Sequence, residues 1–147
     1  MILLDANILL YAYNADAPQH RPARQWLDQL FASAEWVGIP WVTLWAFVRI
    51  STNPRLMPQP LPIEDAFGII RDLLDQSRAQ LVEPGRKHAE ILHRLVLENQ
   101  AAGPALTDAV LAALAVEQGS TLASADRGFA RFRELKWVNP LALPPVL

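Results

Sequence analysis

Three carboxylates stand where chemistry would need them. Asp5 interrupts the most apolar stretch of the chain, "MILLDANILLYAY", Asp108 opens "DAVLAALAVEQG", and Asp126 follows "STLAS". Taking an ionised carboxylate out of water is costly unless a partner compensates it. Asp108 alone is explained as a charge favoured by a helix N-terminus, and Asp126 alone as a turn residue in "SADRG". Asp5 resists both explanations, because neither a cap nor a turn is evident between "ILL" and "ANILLYAY". Acids gathered with few bases among them repel one another, and a hard divalent cation relieves that repulsion. An all-oxygen donor set favours Mg²⁺ or Mn²⁺ over zinc. Such ions promote phosphodiester cleavage by activating water and stabilising charge on the phosphate. Asn7, Thr107 and Ser124 flank the three acids as polar partners that orient ligands or substrate.

The acids converge only if the right elements carry them. Residues 2–4 read as a short buried strand, since "ILL" is continuously apolar rather than alternating. A helix is expected from Pro18, with Ala23, Trp26, Leu27, Leu30 and Phe31 on its inner face. A second strand is expected in 35–40, then a helix over 41–50 and a proline-rich loop over 53–62. The spacing of Ile63, Ala66, Phe67, Ile70, Leu73 and Leu74 predicts an amphipathic helix over 63–77. A strand over 79–84, a helix over 86–100, a helix capped by Thr107 and closed by Gly119, and strands at 120–124 and 136–140 complete the series. Strands alternating with helices predict an α/β fold: a central parallel sheet of four to five strands flanked by helices. In such sheets the chemistry collects at the carboxyl ends of the strands. If the first and fourth strands are neighbours, Asp5, Asp108 and Asp126 share one pocket.

The totals bound the alternatives. The 147 residues suit one domain over 1–147; 52% are hydrophobic and 19% charged, with a formal net charge of -2. With no cysteine, disulfides, zinc–thiolate sites, iron–sulfur clusters and a cysteine nucleophile are excluded. The composition suits a reducing cytoplasm. The longest purely apolar run, "AVLAALAV", is far short of the roughly 20 residues that cross a bilayer, and no signal peptide is expected. No serine–histidine triad or phosphate-cradling glycine loop is present. A phosphatase forming an aspartyl-phosphate at Asp5 is disfavoured, because the acid expected two residues later is Asn7.

"LLDANILLYAYNADAPQH", "STNPR", "LTDAVLAALAVEQGSTLASADRGFARF" and "KWVNPL", in that order, resemble the PIN-domain ribonucleases, and within them the VapC-type toxins of bacterial toxin–antitoxin modules. The resemblance covers nearly the whole chain. It implies a three-layer PIN-like fold, Mg²⁺- or Mn²⁺-dependent cleavage of RNA, a homodimer, and inhibition by a VapB-type antitoxin. It also implies that Asp5, Asp108 and Asp126 are the catalytic, metal-holding acids, with Asn7, Thr107 and Ser124 lining the same pocket. Two positions depart from the family pattern. Ala46, in "WAFVR", stands where a Glu is usual, and Gly128, in "DRGF", stands where an acid is frequent. Water filling the vacant coordination position is the preferred consequence. A catalytically weakened module that binds antitoxin or RNA without efficient cleavage is the alternative.

Weaker signals surround this centre. Arg49, Arg55, Arg127, Arg131, Arg133 and Lys136 are candidates to line a groove for RNA phosphates, Arg127 first because it adjoins Asp126. Arg49 is equally a candidate ion-pair partner for the acids. Trp26, Trp36, Trp41, Trp45 and Trp137 could stack bases, but their apolar surroundings predict core or dimer-interface positions. His20, His88 and His93 are read as surface residues rather than ligands. The helical stripes at 20–31 and 63–74 could leave a groove for an amphipathic segment of an antitoxin, and the "LALPPVL" tail could cover an interface.

Overall fold

The computed structural model describes residues 1–142. Five strands form one sheet: β1 (Ile2–Leu4), β2 (Val37–Pro40), β3 (Ala79–Val82), β4 (Thr121–Ala123) and β5 (Lys136–Val138). All four pairings are parallel and the strand order is β3-β2-β1-β4-β5. Six helices connect them: α1 (Ala6–Ala12), α2 (His20–Ala32), α3 (Trp41–Ser51), α4 (Ile63–Leu74), α5 (His88–Asn99) and α6 (Ala105–Gln118). The expected α/β architecture, three layers with a parallel sheet in the middle, is therefore what the chain adopts.

Strand alternation divides the interior into two cores. Leu4, Val37, Ile39 and Ala123 point to one face and pack with Leu9, Leu27, Phe47 and Ile70 from α1 to α4. Leu3, Val82 and Leu122 point to the other and pack with Leu95, Ala112, Phe129 and Phe132. Both faces of β1 and β4 are thus covered, which is why "ILL" and "TLA" carry no polar alternation. The edge strands β3 and β5 are less apolar, with Gln80 and Lys136 exposed.

Local rules explain most boundaries. Pro40, Pro62 and Pro104 immediately precede α3, α4 and α6, each fixing φ near the helical value without a side-chain cap. Gly119 ends α6 in the left-handed region at φ 61°, as its position predicts. Three expectations need correction. The stretch after Asp5 is the helix α1, capped by Asp5 itself, whose carboxylate accepts the Ala6 N–H. With Ile8, Leu9 and Ala12 all buried, so short a helix shows too little polar face for periodicity to expose it. Thr107 is not an N-cap: Pro104 starts α6 early, so Thr107 falls exposed within the first turn. Of the five tryptophans, Trp36, Trp41 and Trp45 are exposed in the single chain, which removes the core half of their expected core or dimer-interface placement. Trp41 and Trp45, one turn apart on the outer side of α3, stack at 6.1 Å with 24° between their planes.

Gly38 sits at the centre of the sheet, where a Cβ would come 2.9 Å from Leu3 Cδ1 and 3.0 Å from Val82 Cγ2. Gly38→Val is therefore expected to overpack the second core and cost about 1–3 kcal/mol. A thermal melt of this variant should show the midpoint falling by several degrees.

Candidate functional site: an acidic pocket at the β1–β4 junction

Chain order runs outward from β1 through β2 to β3 on one side, and from β1 to β4 and β5 on the other. The reversal leaves a crevice at the carboxyl ends of β1 and β4, the place where ligands bind in open α/β sheets. Asp5 lies in that crevice. Its N–H donates to Ala123 C=O at 3.0 Å, extending the β1–β4 ladder by one bond.

Every oxygen of Asp5 is engaged. Oδ1 accepts the Ala6 N–H at 2.6 Å, and Oδ2 accepts Ser124 Oγ–H at 2.6 Å and Asn7 Nδ2–H at 3.1 Å. Asn7 also donates to Ser124 Oγ at 3.0 Å and accepts the Ala125 N–H through Oδ1 at 3.1 Å. Ser124, wholly buried, accepts the Asp126 N–H at 3.0 Å, and its carbonyl accepts Trp137 Nε1–H at 3.0 Å. Asp5, Asn7 and Ser124 are thus one hydrogen-bonded unit joining residues 119 positions apart. Asp126 is exposed and accepts the Gly128 N–H at 2.8 Å, capping the 3-10 turn Arg127–Arg131. The turn reading of Asp126 therefore holds as local structure, and Asp5, where no cap was evident in the sequence, proves to be one.

Electrostatics ties the acids together. Burial pushes the Asp5 carboxyl above its ordinary value of 3.8; the bonds from Ser124 and Ala6 oppose this, and the charges of Asp108 and Asp126 add to it. Burial also raises Asp108, reinforced by Asp126 and opposed by Arg131. Asp5 therefore feels the charges of Asp108 and Asp126, and Asp108 feels that of Asp126. Among the described residues, no three His, Asp or Glu side chains are arranged to hold one ion directly.

The remaining candidates divide. Arg131 donates to Asp108 Oδ2 at 3.2 Å and lies 4.9 Å over the Phe132 ring, so it is a partner of an acid rather than a free lining cation. Arg49, Arg55, Arg127, Arg133 and Lys136 are exposed, and none forms an ion pair among the described residues. The expected pairing of Arg49 with the acids is therefore not made; Arg49 projects from the exposed side of α3. Thr107 makes no side-chain hydrogen bond among the described residues.

Sequence reading missed Thr43, whose Oγ1 donates to the Leu4 C=O at 2.7 Å in full burial. This bond pins α3 to the end of β1, directly before Asp5. Ala46, partly buried, lies three residues further along α3. A buried hydroxyl one turn from Ala46 was the available signal. The groove expected between residues 20–31 and 63–74 exists, lined by Leu27, Asp28 and Phe31 of α2, by Asp72 and Leu73 of α4, and by Asp75. The interface suggested for the "LALPPVL" tail lies, from position 143 on, outside the described residues.

Removing the Ser124 hydroxyl leaves Asp5 less solvated and orphans the Asp126 N–H, a loss of about 1.5–3 kcal/mol for bonds to a charged group. The Asp5 carboxyl is raised in the folded state and would rise further in Ser124→Ala. Protonated Asp5 needs the hydroxyl less, so the stability gap should be smallest near pH 4 and widen as pH increases through the folded value. Melts of both proteins across a pH series read this gap.

Comparison with known proteins places this geometry in a family. The chain is 43% identical over 143 residues to Ribonuclease VapC37 of Mycobacterium tuberculosis, covering 97% of this chain and 99% of that one. It is 39% identical over 141 residues to VapC ribonuclease Mb2897 of Mycobacterium bovis, covering 96% of each. Its fold is similar to that of a chain of VapBC2 from Rickettsia felis, solved bound to a DNA fragment from the promoter, with a TM-score of 0.71. That match covers 95% of this chain and 98% of the other at 21% identity, a likeness of fold. The PIN domain profile matches residues 2–135. With the profile and its relatives matched over nearly the whole length, the chain belongs to the PIN-domain family.

Proposed function

We propose that the chain is the toxin of a VapBC-type toxin–antitoxin module, acting in the cytoplasm as an Mg²⁺- or Mn²⁺-dependent endoribonuclease. The observation that carries this reading is the Asp5 carboxylate, held by Ser124, Asn7 and the Ala6 N–H in a crevice it shares with Asp108 and Asp126. Identity of 43% to a VapC ribonuclease across almost the full length supports it.

The donor set fits a hard cation. Carboxylate, hydroxyl and amide oxygens supply the site, and burial raises the proton affinity of Asp5 and Asp108, with neighbouring acid charges adding to it. Mg²⁺ is commonly held by one or two carboxylates with several waters, so a direct three-ligand cluster is not required. When bound, such an ion activates water and stabilises the charge developing on the phosphate. Asp5 is the fixed ligand, because three hydrogen bonds define the orientation of its carboxylate. Asn7 and Ser124 keep it aimed, while Asp108 and Asp126 approach from α6 and from the turn after β4. Arg127 and Arg49, exposed and without ion pairs, are placed to attract RNA phosphates.

Two partners follow. The groove between α2 and α4 sets Leu27, Phe31 and Leu73 beside Asp72, Asp75 and an Arg24–Asp28 ion pair, which suits an amphipathic antitoxin segment bearing Lys or Arg. A homodimer is the proposed assembly, and the exposed Trp41–Trp45 pair offers apolar surface for it. A second reading, a module that binds without efficient cleavage, draws on Ala46 and Gly128, which leave the pocket without two acids usual in the family.

Asp5→Asn is expected to abolish cleavage of total RNA in Mn²⁺ and to relieve growth inhibition on expression. Full activity of this variant would refute the assignment. Ala46→Glu is expected to tighten Mn²⁺ binding severalfold, read by calorimetry; wild-type protein that binds RNA but never cuts it would favour the second reading. Because Asp5 and Asp108 are both raised above 3.8, protons should displace the metal at a higher pH than for ordinary carboxylates. Mn²⁺ affinity should therefore rise with pH through that interval, which a titration at several pH values measures.

A further inference from the structure

Resting on the reading above, we infer that the cavity between α1, α3 and the proline-rich loop 53–62 receives one unpaired base of the RNA substrate, a few nucleotides from the bond that is cut. The cavity holds about 180 Å³. A cavity of about 150 Å³ accepts a benzene ring, whereas drug-sized ligands need about 300 Å³ or more, so its size suits a single planar heterocycle. Leu10, Phe47, Met57 and Leu61 supply apolar wall. Tyr13 stands among them as a fixed aromatic, its ring 6.0 Å from that of Phe47 and its centroid 5.0 Å from the Arg24 guanidinium. Asn14, Asp16, Ser51 and Gln59 add the polar lining.

That polar lining is unengaged. Ser51 is 2% exposed, and its hydroxyl has no hydrogen-bond partner among the described residues. Its carbonyl accepts the Leu61 N–H at 2.8 Å, which folds the loop over the end of α3 without using the hydroxyl. A buried hydroxyl in this state has lost water and gained no bond, which native proteins seldom tolerate. Asn14 accepts the Asp16 N–H at 3.1 Å through Oδ1 and keeps its Nδ2 donors free. The Gln59 amide and the Asp16 carboxylate make no side-chain hydrogen bond among the described residues. Amide donors, a carboxylate acceptor and a hydroxyl that does both match the mixed edge of a base. A phosphate does not suit them, because none of the described lining residues is Lys and none is Arg, and Asp16 repels an anion.

Position links the cavity to the crevice. Helix α1 runs from the Asp5 cap to Tyr13, and α3 from the Thr43 bond on the Leu4 carbonyl to Ser51. Each path, positions 5 to 13 and 43 to 51, covers about 12 Å at 1.5 Å per residue, or roughly three to four stacked nucleotide steps. The two helices pack together, so the cavity is held at a set offset from Asp5. Arg49 on α3 and Arg55 in the loop are exposed and form no ion pair among the described residues, which leaves them for the intervening phosphates.

Titration of the full chain with each of the four ribonucleosides, followed by NMR, tests the cavity independently of cleavage. At least one nucleoside should shift the side-chain amides of Asn14 and Gln59 and the backbone amide of Ser51. Ala15→Phe, which fills the cavity from an exposed position, should remove those shifts. Ser51→Ala should weaken the binding about fivefold or more, yet melt no lower than wild type, because no bond within the protein is lost. In cleavage of a randomised single-stranded RNA with Mn²⁺, the cut should fall at a fixed offset from one preferred base. Ser51→Ala and Ala15→Phe should flatten that preference while the RNA is still cut. Absence of shifts with all four nucleosides would overturn the inference, as would an unchanged base preference in both variants. Shifts given by lysine amide or arginine amide but by no nucleoside would overturn it in favour of a basic protein side chain. Nucleoside binding by a protein that cuts no RNA would uphold the base site and overturn the nuclease reading alone.

Discussion

One carboxylate is asked to do two things in this fold. Asp5 terminates β1, caps α1 through the Ala6 N–H, and faces a crevice holding two further acids. Capping favours its ionised form, and burial beside like charges opposes it. The Ser124 hydroxyl and the Asn7 amide donate against that burial without cancelling it, and both are held in turn by backbone groups of the β4 end. The pairing of β1 with β4 is thus what brings these donors to the carboxylate. If the register slipped by one residue, Leu3 and Leu4 would exchange cores and the hydroxyl would leave the carboxylate.

The fold supplies rigidity where the site needs it. Thr43 fixes α3 against the carbonyl just before Asp5, so a helix from the other side of β1 is locked to the same strand end. Trp137 closes the β5 side by donating to the Ser124 carbonyl. Asp108 and Asp126 come from a helix start and a short turn, which are less buried than Asp5. The pocket thus has one tightly determined acid and two whose surroundings can adapt to a bound group.

Much of this was legible in the sequence. Continuous apolar strands, helical stripes and proline or glycine boundaries gave the element order, and the three acids fell at the ends those elements define. What escaped was local or long-range for identifiable reasons. Helix α1 is apolar on nearly every side, so its period is silent, and the cap function of Asp5 was hidden with it. Thr107 looked like a cap because its type is right, yet Pro104 had already begun the helix. Trp41 and Trp45 read as core or dimer-interface residues because hydrophobicity says nothing about which side of α3 turns inward. The Arg131–Asp108 pair spans 23 residues and depends on how the turn after β4 is wound, which spacing alone does not carry.

The position of β4 between β1 and β5 also orders events during synthesis. Ile2 pairs with Thr121, so β1 has a free edge until the ribosome has released most of the chain. Until then Asp5 lacks Ser124, and Asp126 has not been made. A truncated or stalled product therefore exposes an unfilled strand edge, which invites aggregation and proteolysis, but it has no assembled pocket. For a protein proposed to harm the cell that makes it, incomplete copies are harmless by construction.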